Sequence, residues 1–88
     1  MMVYDVEVKI DDQTAIYPVT PKVIVAYESQ FKIGFIQGLS QNPKMEHVYW
    51  IGWEASRSAG VVVKPFSQWL DQLQWVRLIQ KKDNDQET

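Results

Sequence analysis

Any catalysis or metal binding in this chain would have to begin from a single histidine, His47, because no cysteine is present to act as nucleophile or thiolate ligand. A zinc site built on a helix needs a second ligand three or four residues away, and no HExxH-type partner stands at that spacing. A solvated histidine is the expected state of His47. Five serines, Ser29, Ser40, Ser56, Ser58 and Ser67, could supply a hydroxyl nucleophile, but none sits in a GxSxG elbow and all would compete for one base. Glu46 and Glu54 lie eight residues apart, at least two turns of a helix, so they cannot share a proton as a local acid/base pair. They read as a solvated face. Gly34, Gly38, Gly52 and Gly60 match no phosphate-cradling pattern. No catalytic set, cofactor site or metal site is expected, and the protein reads as a non-enzyme.

The remaining chemistry is aromatic and apolar. Four tryptophans, Trp50, Trp53, Trp69 and Trp75, fall in a chain of 88 residues. Trp53 and Trp69 lie on the main apolar stripes of two expected helices and read as core. Trp50 and Trp75 lie off those stripes, as does Leu78, and tryptophan in that position is the residue type that anchors protein interfaces. These three are the candidate interaction residues. Base stacking would also use tryptophan, but it needs interleaved basic residues, which are absent around both. A formal net charge of -2 with scattered Lys and Arg offers no footprint for nucleic acid.

These residues must be positioned by a small scaffold. The length and a hydrophobic content of 45% fit one domain that buries about 60–65% of its unfolded surface. The start of the chain is acidic and alternating rather than basic and then apolar, so export is not expected. No apolar run approaches the ~18 residues of a membrane span, which makes a soluble intracellular protein the expectation.

Tyr4, Val6, Val8 and Ile10 alternate with Asp5, Glu7 and Lys9, predicting a half-buried strand. Asp11-Asp12-Gln13 is a polar turn and Thr14 to Val19 the return strand, with Pro18 confining it to an edge or an end. Thr20-Pro21 opens a first helix that runs to about Lys32 and buries Val23, Ile24, Tyr27 and Phe31, with Glu28 and Lys32 as an i,i+4 pair. Ile33 to Gly38 either extends that helix or forms an apolar turn.

The central helix spans Asn42 to Gly60, with Asn42 as cap, Pro43 at its first position and Gly60 as left-handed stop. Its predicted buried stripe is Met45, Val48, Tyr49, Gly52, Trp53, Ser56 and Ala59. Gly52 weakens a helix by roughly 1 kcal/mol relative to Ala, and close approach of a neighbouring backbone is the expected compensation. Val61 to Val63 is a connector or a short extra strand. Phe66 to Gln80 reads as a third helix burying Phe66, Trp69, Leu70, Leu73, Val76 and Ile79. The fold class is therefore α+β, a short N-terminal β-hairpin packed on a bundle of about three helices. Tyr27, Phe31, Tyr49, Gly52, Trp53, Phe66, Trp69, Leu70 and Leu73 form the expected core. Residues 1–80 make one domain and 81–88 a polar disordered tail.

This succession resembles the tail assembly chaperones of long-tailed bacteriophages. The correspondence runs through the acidic strand segment Met2 to Val19, the element Tyr27-Glu28-Ser29-Gln30-Phe31, the tryptophan-alanine element Trp50-Ile51-Gly52-Trp53-Glu54-Ala55 closing at Gly60, and Phe66-Ser67-Gln68-Trp69-Leu70. The resemblance implies a non-enzymatic protein of the host cytoplasm, absent from the mature virion. It would self-associate and coat the tail tape measure protein while the tube is built, with the tail tube protein as a further partner, and with no nucleic acid or membrane bound. It also implies a longer product made by ribosomal slippage, for which Lys81-Lys82 is the natural position. A small nucleic-acid-binding regulator and a structural adaptor of the particle are the alternatives.

Overall fold

The computed structural model describes residues 2–40 and 43–82. Seven elements follow in order: β1 (Met2–Ile10), β2 (Gln13–Pro18), α1 (Pro21–Phe31), α2 (Phe35–Ser40), α3 (Met45–Ser58), α4 (Phe66–Gln72) and β3 (Leu73–Lys82). The strands form one antiparallel sheet in the order β2-β1-β3, so β1 is central and the fold is α+β.

The hairpin is closed by two residues, since Ile10 pairs with Gln13. Asp11 and Asp12 both take left-handed φ, 55° and 64°, as the tightest β-turns require, and short acidic side chains tolerate that conformation better than most. Pro18 ends β2 at the edge of the sheet, where its missing N–H breaks no ladder.

Thr20 caps α1, its hydroxyl accepting from the Val23 amide at 3.4 Å, and Lys32 ends the helix at φ 59°. That reversal turns Glu28 away from the pairing expected with Lys32. Its carboxylate instead accepts from the Phe35 amide at 2.9 Å, satisfying a free donor at the start of α2. Ile33 to Gly38 is therefore a break followed by a new short helix. The central helix begins at Met45 with Lys44 at its cap and no side-chain capping bond; Asn42, the expected cap, lies outside the described residues. Its end is as expected. Gly60 has φ 95°, its amide donates to Arg57 O at 3.0 Å, and the Val61 amide reaches back to Ser56 O at 3.1 Å, a Schellman closure.

The third helix differs from expectation. It stops at Gln72, and residues 73–82 form β3 along the free edge of β1, from Ile10 opposite Leu73 to Met2 opposite Lys82. The apolar residues of this stretch satisfy two periods, and tertiary context selects between them. A helix would leave one backbone edge of the central strand without partners, whereas a strand pairs it and directs Val76 and Leu78 toward the helices. Lys81 and Lys82, placed in the expected tail, belong to β3, and residues 83–88 of that tail lie outside the described residues.

The helices cover one face of the sheet. Val6, Val8 and Val76 meet Ile51, Ala55, Val23, Tyr27, Phe35, Trp50 and Trp69 in one cluster. Gly52 is placed for close approach, as expected, but what approaches is the sheet's side chains: a Cβ there would stand 3.1 Å from Val76 Cγ1 and 3.3 Å from Val8 Cγ2. The expected phase of α3 needs correction. Trp50, Ile51, Gly52, Glu54, Ala55 and Ser56 are buried, Tyr49 and Trp53 half-buried, and Met45 and Ala59 exposed. The helix is sandwiched, with the sheet on one side and α1 and α4 on others, so no single stripe describes it. Of the remaining expected core, Tyr27 and Trp69 are buried, while Phe31, Phe66, Leu70 and Leu73 pack half-buried around them.

Candidate interaction surface

The polar groups first considered for catalysis are engaged structurally. His47 is half-buried rather than solvated, with Nδ1 2.8 Å from the Tyr27 hydroxyl and its ring 4.0 Å from that of Phe31. Burial pushes the Tyr27 phenol above its ordinary value. The Ser56 hydroxyl donates to Gly52 O at 2.8 Å, and its position nine residues along the same helix from His47 separates the two by about 13 Å. Glu54 is buried, not solvated, and pairs with Arg57 Nε at 3.4 Å while the guanidinium lies 4.8 Å over Trp53. Glu46 is exposed. Among the described residues no group of three or more His, Cys, Asp or Glu could hold a metal ion.

Trp50, expected at an interface, belongs to the core. It is 7% exposed and touches Phe31 edge-on at 5.6 Å and Trp53 at 6.1 Å. Trp53 is the more accessible of the two, its indole N–H donating to Lys64 O at 2.8 Å. Trp75 and Leu78 part company, because alternation along a strand sends them to opposite faces where a helix would have set both beside the stripe. Leu78 packs half-buried under the helices opposite Val6. Trp75 stands on the outer face, 38% exposed.

That outer face is the candidate site. Register aligns Thr14, Ile16 and Pro18 of β2 with Lys9, Glu7 and Asp5 of β1, and these with Trp75, Arg77 and Ile79 of β3. Arg77 pairs with Glu7 at 2.6 Å and Lys81 with Asp5 at 3.0 Å, so both acids of this face of β1 are paired across the strands, while Lys9 is in neither pair. Exposed apolar groups flank them, Ile16 at 57% and Trp75. The start of β3 is pinned by Gln74, which sits at the register irregularity, accepts from the Asp12 amide at 2.7 Å and donates to its carboxylate at 3.1 Å. Ile16 and Ile79 are members of this face that helical periodicity does not reveal. The alternation Trp75, Arg77, Ile79, Lys81 is the signal in the sequence that marks its β3 part.

No helix among the described residues is long and apolar enough to cross a membrane. Comparison of the chain with protein-family models, with characterised proteins and with solved structures finds no match.

Proposed function

We propose that the chain is a non-enzymatic assembly chaperone of bacteriophage tails, which associates with itself and with the tape measure protein in the host cytoplasm and leaves before the virion is complete. The observation that carries this reading is the open sheet face, where Trp75 and Ile16 remain exposed beside two cross-strand ion pairs. Such a surface suits an apolar client: it offers apolar contact area beside carboxylates that already have partners, and exposed ion pairs of this kind contribute little on their own. Weak contacts repeated over many copies would give a coat that can be shed when the tube closes around its client. The order of the strand, tyrosine, tryptophan and phenylalanine motifs supports the same class. Slippage at Lys81-Lys82 would preserve β3 and change only the residues beyond it.

Co-expression with the tape measure protein of the same phage tests the reading. Recovery of a complex that survives high salt, and that diminishes in Trp75→Ala with the fold retained, is the expected result. Failure to co-purify, detection in purified particles, or salt-sensitive binding to DNA in place of the client would overturn it.

A further inference from the structure

We propose that the free edge of β3 joins two copies of this chain into a two-fold dimer with a continuous six-stranded sheet. The inference stands apart from the client reading and rests on the two edges of the sheet. β2 is guarded: it has six residues and ends in a proline. β3 has ten residues, its irregularity lies at its beginning, and from Trp75 to Lys82 it contains neither proline nor glycine. Two of its cations, Arg77 and Lys81, the usual guards of an exposed edge, are drawn sideways onto β1 by Glu7 and Asp5. Among the described residues nothing pairs with its other side.

Of the three registers centred on the middle of the strand, at Arg77, Leu78 and Ile79, one sets no like charges directly opposite. A two-fold axis normal to the sheet pairs each residue with one on the same face, so the axis passes beside a residue of β3 and its own equivalent. An axis at Arg77 would set two guanidinium groups directly opposite, and one at Ile79 would set Arg77 against the partner's Lys81, both destabilising. An axis at Leu78 puts Leu78 against its own equivalent, Val76 against Gln80, Arg77 against Ile79 and Trp75 against Lys81. No two like charges then stand directly opposite one another. Beside Leu78 lies a hollow lined by Tyr4, Ile36 and Leu39, with Ile36 60% exposed, which the partner would cover. The dimer consumes both long edges and leaves only the short proline-ended ones, so the association closes instead of growing into a fibre.

The absence of cysteine makes single-cysteine variants clean reporters. Light scattering should give the mass of two chains. On mild oxidation with oxidised glutathione, Leu78→Cys should bridge to its equivalent. Arg77→Cys should not, because its equivalent lies diagonally across the axis, beyond the reach of a disulfide. Should Leu78→Cys disturb the core, Trp75→Cys with Lys81→Cys decides on the outer face: the double variant bridges into dimers and neither single variant does. A mass of one chain at millimolar concentration, or a dimer that bridges through Arg77→Cys and not through these positions, overturns the proposal. Client recovery by a monomeric chain would leave the client part of the functional reading standing and remove self-association from it.

Discussion

Gly38→Ala tests the packing around Tyr27. On propensity alone the substitution in α2 should stabilise the helix by about 1 kcal/mol. The structure reverses the sign. A Cβ at position 38 would overlap the Tyr27 hydroxyl and stand 3.2 Å from its Cζ and 3.3 Å from Ile33 Cγ2. Tyr27 has no exposed surface and is boxed in by Phe31, Phe35 and His47, with ring centroids 5.0, 5.5 and 5.4 Å away, so it cannot swing aside. Overpacking of this kind costs about 1–3 kcal/mol, and displacement of the hydroxyl would sacrifice the bond to His47, about another 1 kcal/mol. Set against the propensity gain, the net loss is about 1–3 kcal/mol, and each kcal/mol lowers the melting temperature by roughly 4–8 °C in a domain of this size. Tyr27→Phe removes the obstructing oxygen. Gly38→Ala should therefore cost at least about 1 kcal/mol less in that background, a coupling that denaturant unfolding of the four proteins of the cycle would measure. If Gly38→Ala stabilises the parent chain, or costs the same in both backgrounds, the placement of α2 over Tyr27 is wrong.

Trp69→Ala and Trp50→Ala should each destabilise by about 3–5 kcal/mol in thermal or denaturant unfolding, whereas Trp75→Ala should cost no more than about 1 kcal/mol and act on client recovery. Gly60→Ala should cost about 1 kcal/mol, because φ 95° at the end of α3 suits no other residue as well, and unfolding midpoints will report it. Tyr27 holds its proton more tightly when folded than at the ordinary value of 10.0, so the stability tied to it is complete below pH 10 and is lost as pH rises through the folded value. Spectrophotometric titration should accordingly find Tyr27 ionising late, a signal that Tyr27→Phe removes.

Local physics determined much of this protein from the sequence alone. The hairpin was legible because period-two alternation flanks an acidic turn. The start of α1 was legible because Thr20-Pro21 opens a helix by a mechanism confined to those residues, and Gly60 ends α3 for an equally local reason. The tertiary structure decided the rest. Residues 73–82 carry apolar groups compatible with a helix or a strand, and only the unpaired edge of β1, at the opposite end of the chain, selects the strand. That selection places Trp75 on the open face and Leu78 under the helices, a separation no local pattern contains. A one-sided stripe along α3 assigns Trp50 to the surface, yet it is buried because α3 lies between the sheet and α1. Spacing along a helix reports which residues share a side; how many sides are covered depends on what the rest of the chain brings to them.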